Sequence, residues 1–393
     1  MPKIRINEHD MTGVIQKSPI SNIIYIPILT EEAVPLVEKG KVVSICYSRK
    51  ELENRIANKL VENDNSKVMY NIATRLIDLG FPVLVEGIVE GTSISKDLLT
   101  DKSLFDIRFL TSGIVNIEGV NEDIVWVAET RQDCIALIDV DESAAEFKYG
   151  SIRAAFEKHA SVYAAGFTPW FYSEHPTLLK GLKTLTDSVA IPAAYGYLFA
   201  YGRMLANNAA EWQAVAGPER GIIPELSDVF YTYSYADVEV LQARAENNAV
   251  ELDDATDNVG VAINPIAWVR PNGYILYGNR TLKDNDSKKK TTAQSFLNVR
   301  NGVNAIKKVM YDAGRIFVFE QNTEILWTNF KNYITPLLDR MQNSDGLLGY
   351  TFVKVATDAK ARLKAKLTVI PVEAVEDFDL DIYLVDDLTV TEE

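Results

Sequence analysis

Two segments near the end of the chain alternate charged and apolar residues. The first carries basic residues at every second position, with alanine or leucine between them: Lys360, Arg362, Lys364 and Lys366. The second alternates aspartates with large apolar residues: Asp377, Phe378, Asp379, Leu380, Asp381, Ile382 and Leu384. In each case a period of two predicts a β-strand with one charged and one apolar face. Opposite charges that face each other across two strands stabilise their pairing by about 0.2–1 kcal/mol per pair.

These two strands could pair within one chain or between two chains. A strand at the end of a chain suits addition to the open edge of a neighbouring sheet. The other end has a similar feature, because Ile4, Arg5 and Ile6 lie in an alternating segment too short to be stable alone. We therefore interpret residues 1–20 as an N-terminal arm and residues 373–393 as a C-terminal arm, with residues 360–366 as the strand that accepts an arm.

The net charge of -15 is unevenly distributed along the 393 residues. Residues 1–265 carry 23 basic and 38 acidic residues, residues 266–370 carry 17 and 8, and residues 371–393 carry none and 9. A basic module is therefore flanked by acidic segments and could receive an acidic strand. The alternative is that each block is simply a solvated surface.

Helices and apolar strands alternate through the first two thirds of the chain. Ser48 and Glu51 have the spacing of a capping box, which marks the start of a helix. The predicted elements are strands at 22–29, 81–85 and 135–140 and helices at 49–62 and 66–79. Their alternation predicts an outer α/β domain over residues 21–265.

The pattern starts again after residue 265. The predicted elements there are strands at 274–277 and 316–319 and helices containing residues 296–310 and 326–337, with Pro336 in the last. We predict a second, inner α/β unit over residues 266–372. The chain as a whole is thus predicted to be α/β (α+β), with two units and two strand-forming arms.

Residues that usually carry chemistry are scattered. The two cysteines and three histidines do not have the spacing of a zinc site. The sequence has no phosphate-binding loop, dinucleotide-binding motif, HExxH or nucleophile elbow. We therefore expect no catalytic, cofactor-binding or metal-binding residues and no enzymatic activity. Carboxylates such as Asp139 and Asp141 leave open the alternative of a carbohydrate-active enzyme.

The N-terminal residues and the length of the apolar runs indicate where the protein is made. The first residues, MPKIRINEHD, lack the apolar core of a secretory signal, and no apolar run reaches the roughly 18 residues of a membrane span. We expect a soluble protein made in a reducing cytosol, without membrane insertion.

Three consecutive lysines, Lys288, Lys289 and Lys290, lie beside acidic residues and lack interleaved aromatic residues. This arrangement favours a solvated loop or an acidic protein partner over nucleic acid.

Several motifs from residue 272 onward resemble those of contractile tail sheath proteins, a family shared by phages, R-type pyocins and other contractile injection systems. Residues 272–282 (NGYILYGNRTL) resemble its signature of a glycine, a strand and W-G-x-R-T-L, with Tyr277 in place of tryptophan. Further motifs are similar at 298–300 (NVR), 317–327 (FVFEQN, then LW) and 346–350 (GLLGY). Weaker likenesses extend over nearly the whole chain. The residues expected in the motif core are Gly278, Arg280, Phe319 and Trp327.

The resemblance implies a structural subunit rather than an enzyme. Such a subunit stacks in six-fold rings, wound helically, around a rigid tail tube, and contracts to drive the tube through a target cell envelope. The implied partners are neighbouring sheath subunits, which exchange terminal strands, the tail tube protein, and the baseplate and tail terminator proteins. The implied location is the tail of a virion or similar particle that assembles in the bacterial host cytoplasm.

Basic side chains of the inner unit are candidates for contact with an acidic tube surface. These are Lys288, Lys289, Lys290, Lys307 and Lys308. Such contacts would weaken at high salt. The alternative interpretation of the whole chain is a carbohydrate- or host-surface-binding, or enzymatic, α/β protein.

Overall fold

The computed structural model describes residues 22–113, 119–140, 149–184, 186–233, 237–238, 241, 260–285, 292–357 and 361–374. The strand segments predicted in both arms, Lys360 and the three lysines at 288–290 lie outside the described residues.

Eight strands form one mostly parallel sheet. The described strands are β1 (Ile23–Leu29), β2 (Val37–Glu38), β3 (Lys41–Val42), β4 (Ile45–Cys46), β5 (Val83–Ile88), β6 (Ile107–Thr111), β7 (Ile135–Ile138), β8 (Ala164–Thr168), β9 (Phe171–Ser173), β10 (Val189–Ile191), β11 (Asp228–Val229), β12 (Gly260–Val261), β13 (Asn264–Val269), β14 (Gly273–Leu276), β15 (Asp284–Asn285), β16 (Leu347–Val355) and β17 (Lys364–Pro371). The large sheet has the order β14-β13-β8-β7-β6-β1-β5-β4. Only the outermost pairs, β13 with β14 and β4 with β5, are antiparallel.

Helices cover both faces of this sheet. The described α-helices are α1 (Arg49–Ile56), α2 (Asp64–Asp78), α3 (Lys96–Leu99), α4 (Val120–Arg131), α5 (Tyr149–Glu157), α6 (Pro176–Leu179), α7 (Ala193–Ala206), α8 (Gly217–Arg220), α9 (Leu297–Phe317) and α10 (Glu324–Asn343). In β1, Ile24 and Ile26 pack with α1, α2 and α7, whereas Ile23 and Tyr25 pack with α4 and α5 on the other face. The predicted α/β class is confirmed, because both faces of a parallel sheet are buried by helices.

Capping residues and apolar periodicity in the sequence predicted the positions of the helices and strands in the first part of the chain closely. Ser48 is the N-cap of α1 and accepts a hydrogen bond from the backbone N–H of Glu51. The helix is shorter than predicted, because it passes into a 3-10 turn at Ala57–Lys59. Helix α2 and strands β1, β5 and β7 lie within a few residues of their predicted positions.

A second unit is built from α9, α10, β16 and β17, which we call the C-terminal module. Its core contains Ile306 and Val309 of α9, Leu338 of α10 and Phe352 of β16. Trp212, which follows α7 in the chain, also lies in this core. The indole N–H of this tryptophan donates to the carbonyl of Ser344 at 3.2 Å, which ties the module to the preceding part of the chain.

Two predictions in this region are wrong. Strand β13 runs across the boundary predicted at residue 265, and β14, beyond it, pairs with β13 in the large sheet. A boundary just before α9 would leave this sheet intact. The predicted strand at 316–319 is also absent, because α9 continues through Phe317 and the chain then turns into α10.

Gly346 should be essential for the contact with Trp212. A Cβ at Gly346 would lie 2.4 Å from Cδ1 of the indole, a clash that a rigid ring cannot avoid without moving. We expect Gly346→Ala to lower the free energy of unfolding by about 1–3 kcal/mol. Gly349→Ala is the matched control, because a Cβ at Gly349 meets nothing within 4 Å. Equal stability of the two variants in urea denaturation would contradict this packing.

Candidate assembly interface

The hairpin of β16 and β17 has the two faces predicted for the basic segment. Lys364 and Lys366 are exposed, and Lys366 lies opposite Val353 in the antiparallel register. The alternate residues Ala365 and Leu367 pack on the core of the C-terminal module. The alternation in sequence thus becomes a basic face and a packed face, as period-two geometry requires.

The basic side chains of β17 have no charge partner among the described residues. Neither Lys364 nor Lys366 forms an ion pair with a described residue, and Arg362, just before the strand, is also exposed. By contrast, Lys354 on β16 is paired with Glu324 at 2.5 Å. Among the described strands, only β16 pairs with β17, so the other edge of β17 presents backbone groups without a strand partner.

Helix α9 crosses the large sheet at the amino ends of three adjacent parallel strands. Arg300 stacks on Tyr163 beside β8, with 4.5 Å between guanidinium and ring centre. Asn304 donates to the carbonyl of Cys134 beside β7 at 3.2 Å. Lys308 donates to the carbonyl of Ile107 in β6 at 2.7 Å. Eight residues of helix advance about 12 Å, close to the ~10 Å that separates β8 from β6.

Lys308 does not lie on an exposed surface, which corrects its assignment as a tube-facing residue. It is 5% exposed and forms an ion pair with Asp106. Its charge is therefore compensated within the chain. Lys307 is half-buried and donates to Tyr163 Oη and to the carbonyl of Gln132, both at 2.9 Å. Both lysines join α9 to the sheet, which leaves them poorly placed to bind a separate protein.

Two of the motifs that carry the family resemblance, at 272–282 and 298–300, contact each other. Asn279 and Asn298 exchange hydrogen bonds, at 2.7 Å between side chains and at 3.1 Å to the backbone N–H of Asn298. Arg280 is buried and stacks on Phe296 at 4.4 Å. Gly278 is required because a Cβ there would lie 2.8 Å from Asn264. Burial lowers the pKa of the Arg300 guanidinium, an effect that Tyr163 opposes.

The two aromatic residues of the motif core have different surroundings. Trp327 is half-buried, with its ring 5.2 Å from that of Phe352. The expectation that Phe319 is a core residue is wrong, since its side chain is 100% exposed. Phe319 lies in the turn between α9 and α10 because the helix ends at Phe317. Sequence reasoning missed this because a run of Ile, Phe and Val resembles a strand.

The described carboxylates that could carry chemistry, such as Asp139, make structural contacts, and Asp141 lies outside the described residues. Asp139 accepts a hydrogen bond from the backbone N–H of Ala194 at the start of α7, at 3.1 Å. Tyr25 donates to buried Glu86 at 2.5 Å, and burial raises the pKa of that carboxyl. Within the described ranges, no group of three or more His, Cys, Asp or Glu is arranged to hold a metal ion. No described helix is both long and apolar enough to cross a bilayer.

A cleft of about 210 Å³ lies between α9 and the segment before β6. Arg131 in its wall is bound by Asp133 at 2.9 Å and by the carbonyls of Leu99 and Phe105. Lys308, also in the wall, is paired with Asp106. The two buried charges in the cleft wall, Arg131 and Lys308, are therefore held in contacts within the chain.

Comparison with known proteins supports the resemblance seen in the motifs. No family model matches the chain. A tail sheath protein of Vibrio phage KVP40 is 25% identical over 274 residues, which is 65% of this chain and 38% of the phage protein. The chain thus corresponds to well under half the length of this relative.

Two solved structures are similar over almost the entire chain. One is the sheath of the extracellular contractile injection system PVC in its contracted state, with a TM-score of 0.65, 16% identity and coverage of 99% of this chain and 98% of that one. The other is the contracted helical sheath of the anti-feeding prophage, with a TM-score of 0.59, 15% identity and coverage of 97% and 98%. At these identities the structural likeness establishes the fold, and with the phage relative it confirms the resemblance to contractile sheath proteins.

The contacts of Lys308 should hold the C-terminal module on the sheet. Lys308→Met removes the ion pair and the bond to Ile107, and hydrogen bonds to charged groups contribute about 1.5–3 kcal/mol. We expect a loss of stability of that size and faster amide hydrogen exchange in α9. The control is Lys331→Met, because Lys331 is exposed on α10 and its loss should change stability by no more than about 0.5 kcal/mol. Unchanged exchange in α9 would contradict the role assigned to Lys308.

Proposed function

We propose that this chain, a contractile sheath protein by sequence likeness and fold, is a structural subunit that polymerises around a tail tube. Its subunits form helically stacked hexameric rings, which shorten to drive the tube through a target cell envelope. The proposal depends most on one observation: within the described ranges, the basic side chains of β17 form no ion pair and its outer edge pairs with no strand. That edge fits the acidic strand predicted at residues 377–384.

Strand exchange supplies the links between subunits. The C-terminal arm of one subunit adds to β17 of another, with Asp379 and Asp381 facing Lys366 and Lys364. The N-terminal arm, with Ile4, Arg5 and Ile6, adds to a further neighbour. Each arm contributes about four backbone hydrogen bonds at ~0.5–1.5 kcal/mol each, so one contact supplies a few kcal/mol. Repeated head-to-tail contacts that do not close into a ring give a helical polymer.

Contraction follows from links that stay paired while folded domains move. The arms act as hinges, and the subunit bodies slide and rotate from an extended lattice into a shorter and wider one. The contacts of α9 with the large sheet support this motion, because they let the C-terminal module and the large sheet move together as one body.

The further partners are the tail tube, baseplate and tail terminator proteins. With Lys308 buried, Lys288, Lys289 and Lys290 are the main remaining candidates for contact with an acidic tube. The particle is a virion tail or a similar contractile assembly, built in the bacterial host cytoplasm. The role is structural and non-enzymatic, without cofactors, membrane insertion or direct nucleic-acid contact. The alternative of a carbohydrate-binding or enzymatic protein gains no support from the relatives found.

Reversing charge on β17 should block assembly. We expect the full chain to form striated tubes in negative-stain electron microscopy, and the double variant Lys364→Glu, Lys366→Glu to remain small, because its arm-accepting face would repel the acidic arm. The matched control is Lys41→Glu, Lys50→Glu, which reverses two exposed lysines of the outer domain and should still assemble.

A complementary reversal should restore assembly. Adding Asp379→Lys and Asp381→Lys to the Lys364→Glu, Lys366→Glu chain exchanges the two charges across the same contact. Tubes from this fourfold variant would support the pairing. Normal tubes from the uncorrected double variant, or small uniform particles from the full chain even with a tube protein added, would contradict the proposal.

A further inference from the structure

The turn between α9 and α10 exposes a cluster of large apolar side chains. Ile316 is 54% exposed, Val318 58%, Phe319 100% and Ile325 72%. We call these four residues the helical tip. Single exposed apolar residues are common, but four within ten positions at one end of a hairpin form a patch that is typical of an interaction site.

The backbone at the tip adds a second observation. Phe319 has φ of +70°, the left-handed region that a bulky residue rarely adopts. Asparagine or glycine would fit this position with less strain, so neither exposure nor conformation favours phenylalanine in the isolated chain. Strain of this kind is often found where a side chain is held ready for a partner.

The tip is an ordered part of the module. The N–H of Val318 donates to the carbonyl of Gly314 at 3.0 Å, and Thr323 caps α10 by accepting from the N–H of Leu326 at 3.3 Å. Asn322 donates to the carbonyl of Arg362 at 3.3 Å. This last bond places the tip beside the start of β17, at the end of the hairpin remote from Leu347.

An arm added to β17 has a defined direction relative to the tip. Antiparallel pairs outnumber parallel ones about two- to three-fold. An antiparallel arm would run from the end of β17 towards its start. If Asp379 faces Lys366, then Asp381 faces Lys364, and residues beyond 384 extend past Arg362. These residues would therefore lie next to the helical tip.

We propose that residues 385–390 of a second copy of this chain cover the helical tip. The segment reads Val-Asp-Asp-Leu-Thr-Val, and its apolar members are Val385, Leu388 and Val390. Six extended residues reach about 20 Å, and the bond from Asn322 to Arg362 places the turn beside the start of this segment's path. In the register above, Tyr383 faces exposed Arg362, and residues 385–390 follow directly beyond that arginine. The inference rests on the proposed strand exchange and adds an apolar anchor at its far end.

The same chain is a poor source for this segment. In the register above, a fold-back within one chain would need a two-residue turn at Val372 and Glu373. Such turns favour Asn, Asp or Gly, and β-branched valine does not suit them. The chain is also held there, because the N–H of Val372 donates to Gly346 and its carbonyl accepts from Asn298, at 3.2 and 3.3 Å.

Cross-linking between two populations of the full chain tests the proposal. One population carries Ile325→Cys and the other Leu388→Cys, so a covalent dimer of the two must join different copies. The native thiols Cys46 and Cys134 are buried and will react slowly. The matched control replaces Ile325→Cys by Leu348→Cys, which is similarly exposed at 68% but lies at the opposite end of the hairpin.

The populations are co-assembled, checked as tubes by electron microscopy and treated with a short bismaleimide. We expect at least five times more dimer from the pair at 325 and 388 than from the pair at 348 and 388. Equal or absent dimers in well-formed tubes would overturn the covered tip but leave the proposed function standing. A third sample carries Ile325→Cys and Leu388→Cys in one chain; cross-links within that chain, with no dimer from the two separate populations, would overturn the second copy as occupant. Failure of the unmodified chain to form tubes would overturn the proposed function itself, and this inference with it.

Discussion

The structure depends on the joint between α9 and the large sheet. Arg300, Asn304 and Lys308 lie on one face of the helix and contact the starts of β8, β7 and β6 in turn. The ion pair of Lys308 with Asp106 is largely shielded from solvent on the lysine side, so it is screened less by salt than a surface pair. The β16–β17 hairpin belongs to the same module, so the edge of β17 has a fixed position relative to the large sheet.

A folded body whose β17 edge pairs with no other described strand, and which carries an acidic segment at residues 373–393, suits the proposed polymer subunit. The body keeps its own core, since Trp212 and Gly346 pack closely between the two units. In the proposed assembly, the chain ends would link the subunits and stay paired while the bodies reorient. Such a division of roles would give the polymer both strength and movement.

The features that were predictable from sequence are those set by neighbours along the chain. The alternation at 364–367 fixed which side chains of β17 are exposed, and Ser48 marked the start of α1. Features set by distant residues were missed. The partner of Lys308 is 202 positions away, so nothing near the lysine signals its burial. Phe319 was misplaced because its apolar neighbours resemble a strand, whereas α9 ends there and the chain turns.

Electron cryomicroscopy of the assembled protein, at a resolution that traces the backbone, tests the central claim most directly. The account predicts continuous density that leaves residue 374 of one subunit and lies antiparallel along β17 of a different subunit. Density that folds back onto β17 of the same subunit, or a β17 edge left bare in the polymer, would contradict it.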